Sequence, residues 1–200
     1  MCAFRALKGR SDRRDGWSPE VSESNRQRER PRLGISACLL GQAVRYDGGH
    51  KLDRLLTDIF SQFVEWVPVC PEVEFGLPVP REPVHLVGDP GKPRLVTVCT
   101  GRDLTGQMRD FVRRRVGELG EEGLCGFIFK SRSPSCGMTC VEVQDESGAA
   151  REAGVGLFAR AFMERFPRLP VEDEVCLHDP RLREDFVERV LCLKPHCDSP

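Results

Sequence analysis

"LCGFIFKSRSPSCG", Leu124–Gly137, decides the fold class. From Leu124 to Phe129 the chain carries no charge, and the run is too short for an amphipathic helix, so it reads as a buried strand. The strand delivers the chain directly into a polar turn in which Pro134 and Gly137 bracket Cys136. Upstream, "GRDLTGQMRDFVRRRVGELGEEG" has the apolar period of an amphipathic helix, with Thr100 or Asp103 as a cap. Downstream, a helix is expected from about Gly154 to Phe166, and another over "PRLREDFVERVLCLK", where Leu182, Phe186, Val187 and Val190 share a face.

The N-terminal half repeats the alternation. "LGISACLLG" reads as a strand and turn ending near Cys38. "HKLDRLLTDIFSQF" places Leu52, Leu55, Leu56, Ile59, Phe60 and Phe63 at helical spacing, and "VEWVPVC" is strand-like from Val64 to Val69, with Cys70 closing it. "PEVEFGLPVPREP" is dense in proline and is expected as a structured loop rather than a helix. "PRLVTVCT" is expected as a strand joined to its neighbour by the "GDPGKP" turn. Alternating strands and helices imply an α/β fold: one domain with a mostly parallel sheet and helices on both faces, a Rossmann-like three-layer arrangement. It is expected over residues 33–194. Residues 195–200 are expected as a flexible C-terminus.

Residues 1–32 are expected as a disordered basic tail, because they hold few large apolar residues and no sustained period. They carry nine Lys/Arg against five Asp/Glu, whereas the remainder carries 21 against 26. The net charge of −1 argues against a nucleic-acid binder. No run approaches the roughly 18 apolar residues of a membrane span. The tail lacks an uninterrupted apolar stretch, and Asp12, Asp15, Glu20, Glu23 and Glu29 break the acid-poor pattern of a mitochondrial presequence. A cytoplasmic location follows, no segment marks a protein partner, and the disulfide reading of the ten cysteines weakens accordingly. No CxxC occurs, which argues against a zinc ribbon or a thioredoxin-like pair.

Cys38, Cys70 and Cys136 each follow a predicted strand, so a parallel sheet places them at equivalent ends where they can converge in one crevice. Three thiolates are one short of closing a structural zinc or iron–sulfur site. A 4Fe-4S cluster held by three cysteines keeps one iron free to act as a Lewis acid. Inert packing is the alternative for each of them, because free cysteine is among the most buried residue types.

"ISACLLGQAVRYDGGHK", "VPVCPEVEFGLPVPREP", "FKSRSPSCG", "GVGLFARAF" and "LPVEDE", followed by "DPRLREDFVERV", resemble in that order a small bacterial family that includes thiouracil desulfidases. The resemblance runs from about Leu33 to Val190. It implies that Cys38, Cys70 and Cys136 ligate a 4Fe-4S cluster, and that the activity is a non-redox desulfuration of a thiolated pyrimidine: thiouracil to uracil plus hydrogen sulfide. The partner it implies is thus a small-molecule thiolated base. A carboxylate must manage the protons of water. Glu72, two residues from Cys70, is the first candidate, ahead of Glu74, with Glu65 and Asp47 further off. Ser133 and Ser135 are placed to hydrogen-bond substrate or cluster, or to cap a turn. Asp47, Arg81 and Lys130 are the substrate-binding candidates, a salt bridge being the alternative for the two cations. Arg45 and Tyr46 are pocket-lining or structural. Val175 and Cys176 stand where the family has Gly-Arg. Cys140 is expected in the core, and Cys192, His196 and Cys197 as an incidental group. The competing reading is a non-catalytic sensor that uses the same three cysteines to hold a cluster or metal.

Overall fold

A computed structural model describes residues 30–145 and 147–197 of the chain. The strands among them are β1 (Arg32–Ser36), β2 (Glu65–Val69), β3 (Val84–Val87), β4 (Arg94–Thr97), β5 (Leu124–Phe129), β6 (Val141–Gln144), β7 (Ala150–Gly154) and β8 (Val171–Asp173). The α-helices are α1 (Pro71–Glu74), α2 (Thr105–Leu119), α3 (Leu157–Arg165) and α4 (Pro180–Cys197). The tail as far as residue 29, and residues 198–200, lie outside the described residues.

Every residue of β5 is buried, which is why its sequence is apolar throughout instead of alternating. It pairs in parallel with β1 on one side and β8 on the other, and β1 pairs in parallel with β2, giving the order β2-β1-β5-β8. One face of this sheet packs Leu124, Phe127 and Phe129 against Met108, Val112 and Val116 of α2 and Phe158 and Phe162 of α3. The Phe127 and Phe129 rings stack at 4.3 Å, and Phe158 and Phe162 meet them edge-on or tilted. The other face packs Leu33, Ile35 and Ile128 against Leu56, Phe60, Leu177, Phe186 and Val190. Cys125 joins that second face because the register slips by one residue there, Arg32 facing Leu124 and Leu33 facing Gly126. The parallel sheet with helices on both sides is therefore as the sequence predicts.

A second sheet, order β4-β3-β6-β7, packs on the α2 and α3 side. The β3–β4 hairpin closes through the "GDPGKP" turn as expected. The antiparallel β6–β7 pair is not anticipated, because "AREAG" in β7 buries only Gly154 and carries no strand-forming residue. Three further differences follow from local chemistry. "HKLDRLLTDIFSQF" forms a π turn over Leu55–Ile59 and a 3-10 turn over Phe60–Gln62 in place of an α-helix, started by Asp53, whose Oδ1 accepts from the amides of Leu55 and Leu56. Pro71 opens one turn of helix in the expected loop, since its missing N–H is not needed at a first helical position. The last helix continues to Cys197, past the boundary drawn at residue 194. Asp103 does serve α2, its Oδ1 accepting from the Thr105 amide at 2.8 Å.

Gly34 lies directly beneath Phe127, its register partner across the β1–β5 pair. A Cβ at Gly34 would sit 2.1 Å from that fully buried ring, which is itself wedged by three other phenylalanines. Gly34→Ala is expected to cost about 3 kcal/mol, the upper end of overpacking penalties, measured by urea unfolding. A loss near that of an exposed substitution would contradict this packing.

Candidate active site

The carboxyl ends of β1, β2 and β5 deliver three cysteines to one cavity of about 310 Å³. Cys38 sits in a 3-10 turn, Ala37–Leu40, that Gly41 closes with a left-handed φ of 84°. Cys70 caps α1, and the carboxylate of Glu74 reaches back to accept from the Cys70 amide at 2.8 Å. Cys136 is held by its own loop: the Ser133 hydroxyl accepts from the amides of Ser135 and Cys136, at 3.3 and 3.1 Å. That loop docks on the start of α3, where Pro134 and Ser135 carbonyls accept from the amides of Leu157 and Phe158. Gly156 permits the approach, since a Cβ there would lie 2.5 Å from the Ser135 backbone.

Burial is the main force pushing all three thiols up in pKa, and repulsion from the neighbouring thiols adds to it at Cys38 and Cys136. Cys38 rises to about 11 through burial and the neighbouring Cys70, against which Lys130 and Arg45 act. Burial likewise raises Cys70, and raises Cys136 well above the usual thiol value, although a Ser36 hydrogen bond opposes it there. At neutral pH the unligated thiols are protonated, so binding of a metal or cluster to them releases protons. Cations favour the thiolate form, and Arg45, Lys51 and Arg132 line the cavity with them.

A polar chain stands beside the cysteines. Arg81 Nε and Nη2 both donate to Glu72 Oε2, at 3.1 and 2.8 Å, and the Ser135 hydroxyl donates to Glu72 Oε1 at 2.9 Å. Arg81 spends its remaining contacts on the Val44 and Pro78 carbonyls, and its side chain is only 5% exposed. Glu72 and Arg81 line the cavity, and Ser135 is fully buried behind it. Lys130 also lines the cavity, with its ammonium turned onto Glu174 and onto the carbonyl and hydroxyl of Ser131.

The structure thus brings together Cys38, Cys70, Cys136, Glu72, Ser133, Ser135, Arg81 and Lys130. It does not bring Asp47 among the cavity residues: that side chain is exposed, accepts from the Gly49 amide and pairs loosely with Arg45 at 3.6 Å. The Gly49 amide is also the main reason its carboxyl titrates below the usual range. Glu74 is committed to the Cys70 amide and Arg115, and Glu65 pairs with Arg32 away from the cavity. Arg45 and Tyr46 line the cavity. Cys140, expected in the core, is exposed at a left-handed φ of 53°, because it lies in the bend that turns the chain into β6. Cys192 is exposed, and the side chains of His196 and Cys197 lie outside the described ones.

Sequence reasoning misses Ser36 and Glu174. Ser36 precedes Cys38 by two residues, but no spacing marks its hydroxyl as the acceptor for the Lys130 amide. Glu174 belongs to the quoted "LPVEDE" block, and its burial was the missing signal. Glu172, Asp173 and Cys176 gather donor atoms within 4.8 Å of one another. Asp173 there already accepts from the amides of Val175 and Cys176, which makes it a turn residue.

A sequence-family model described as 2-thiouracil desulfurase matches residues 33–174. The chain is 27% identical over 146 residues to the uncharacterized protein YbbK of Bacillus subtilis (strain 168), covering 70% of this chain and 95% of that protein. Its fold is similar to that of a solved [4Fe-4S]-dependent thiouracil desulfidase, TudS, with a TM-score of 0.61 and 30% identity, covering 80% of this chain and 99% of that one.

The raised thiols have a direct chemical readout. Because the thiolate is the reactive form, alkylation of Cys38 in protein free of metal is expected to be slow at pH 7. It should accelerate as pH rises toward about 11. Exposed Cys99, Cys140 and Cys192 serve as internal references. Mass-spectrometric rates for Cys38 equal to those references at pH 7 would contradict the assigned environment.

Proposed function

This chain belongs to the 2-thiouracil desulfurase family, and on that premise we propose that it is an iron–sulfur enzyme converting a thiolated pyrimidine and water into the oxo base and hydrogen sulfide. The observation that carries this reading is the convergence of Cys38, Cys70 and Cys136, from three separate strand ends, on the cavity that Glu72 also lines. The [4Fe-4S] dependence of the structural relative suits this donor set: three soft ligands, each from a different element, with Arg45, Lys51 and Arg132 nearby to favour their thiolate forms. Cys38, Cys70 and Cys136 would hold a 4Fe-4S cluster, which, with three protein ligands, would supply a Lewis acid for the thiocarbonyl sulfur.

The protein's own groups then handle water and protons. Arg81 fixes Glu72 from behind through two N–H donors, so the carboxylate cannot turn away from the cavity. Ser135 holds the other oxygen, Oε1, and so sets the plane of the carboxylate. In the proposed reaction Glu72 takes a proton from water as the water oxygen bonds to the thiocarbonyl carbon, and the adduct's remaining O–H proton is given up as the C=O forms. The C–S bond breaks with its electron pair on sulfur, and the protons leave with sulfur as hydrogen sulfide. No electron is gained or lost. Ser133 keeps Cys136 in place through its two amide contacts. Lys130, with its donors already engaged, contributes charge to the cavity more than a direct contact to substrate. Asp47 is left without a substrate role in this scheme.

Anaerobic reconstitution followed by a sulfide assay with 2-thiouracil and 4-thiouracil is the test. The wild-type protein is expected to bind about four irons per chain and release sulfide and uracil. Cys136→Ala should lose the iron. Glu72→Gln should retain it while sulfide release falls by about 10²–10⁴-fold, the range of a general acid–base contribution. A protein that loads iron but yields no sulfide from any thiolated pyrimidine would overturn the enzymatic reading in favour of a cluster-holding sensor.

A further inference from the structure

Among the described residues, Glu174 is the one Asp, Glu, Lys or Arg that is buried as a whole residue, at 8% exposed. It sits immediately after β8, where its amide donates to the Phe129 carbonyl and extends the β5–β8 pairing by one step. Its carboxylate accepts three hydrogen bonds. Oε1 accepts from the Lys130 ammonium and, at 2.7 Å, from the Ser131 hydroxyl; Oε2 accepts from the Ser131 amide at 2.7 Å. A buried ion pair roughly breaks even against apolar packing of the same volume, so stability alone does not account for one here. Two features indicate what it does. All three of its donors belong to Lys130 and Ser131, the first residues after β5, where the chain must bend away from the sheet toward Cys136. The Lys130 amide in turn donates at 2.9 Å to the hydroxyl of Ser36, two residues ahead of Cys38, which ties the exit of β5 to the end of β1.

We propose that Glu174 is a positioning residue for the third cysteine: by clamping Lys130 and Ser131 at the exit of β5, it sets the course of the loop that carries Cys136. The inference rests on the reading of Cys136 as a ligand for its meaning, but not for its test. Glu174 hydrogen-bonds neither a cysteine nor the Glu72–Ser135 pair, and its charge reaches Cys38 only as a minor influence that raises that thiol. The neutral Glu174→Gln change keeps an acceptor for the Ser131 amide while turning an amide donor toward Lys130, so it loosens the clamp without emptying the site. Glu174→Ala removes the clamp.

The experiment measures alkylation of each cysteine in the iron-free protein, alongside urea unfolding, then iron content and the visible spectrum after anaerobic reconstitution. In Glu174→Gln, Cys136 is expected to react about tenfold faster than in wild type, the effect of weakening one charge-assisted contact on local opening. Cys125, buried at the other end of β5, should keep its rate. Iron per chain, or the cluster spectrum, should change in the same variant. Glu174→Ala should go further in the same order. Failure of the wild-type protein to bind iron would sink the iron–sulfur reading, while the ratio of Cys136 to Cys125 rates would still decide the positioning role. The proposal is overturned by an unchanged Cys136 rate in both variants. It is equally overturned if Cys125 and Cys136 accelerate together with a matching loss of global stability, which would make Glu174 a general fold residue.

Discussion

Parallel pairing of β1 with both β2 and β5 is the constraint on which the rest depends. In a parallel sheet all strands end at the same edge, so three residues that follow three strands meet there despite being far apart in sequence. Cys38, Cys70 and Cys136 use that geometry. The pairing is secured by apolar contact on both faces of β5, and at its centre by Gly34, whose missing side chain leaves room for the Phe127 ring. The aromatic cluster around Phe127 also supports α3, and the amides at the start of α3 anchor the Cys136 loop. Core packing and the placement of the three cysteines are therefore parts of one arrangement.

Around the thiols the structure uses charge with economy. Arg81 and Lys130 are nearly buried and spend their donors on Glu72, Glu174 and backbone carbonyls, so they serve as framework. Arg45, Lys51 and Arg132 line the same cavity. The thiols themselves are costly to ionise in this setting, because burial opposes the charged form of each. A bound cation or cluster reverses that cost, since it pairs the charge that burial penalises. Unligated, the same residues are three protonated, poorly reactive thiols.

Much of this was legible in the chain. The uninterrupted apolar run of β5 announces a strand covered on both sides, and the position of a cysteine after each of three strands announces their meeting. Periodicity also found α2, α3 and α4. The reading failed where local pattern and tertiary context disagree. The Leu52–Phe63 segment has helical spacing, yet only Leu56 and Phe60 are buried, and the chain takes π and 3-10 turns to place them. The β6–β7 hairpin is held by pairing and by Val141 and Val143 alone, so its second strand carries no signal of its own. Glu174 looks like one acid in an acidic block until its burial is known, and Cys140 looks like a core residue until the bend at positive φ turns it outward. Side-chain partners across the sheet, such as the Ser36 hydroxyl with the Lys130 amide, depend on register and have no sequence period.

The central claim is that three cysteines hold a cluster with one iron left open to substrate sulfur. Mössbauer spectroscopy of protein reconstituted with isotopically enriched iron, recorded with and without 4-thiouracil, tests it most directly. The expected result is a four-iron cluster in which one iron differs from the other three and alone changes when the thio-substrate is added. Four irons that stay equivalent, or a spectrum indifferent to 4-thiouracil, would contradict it.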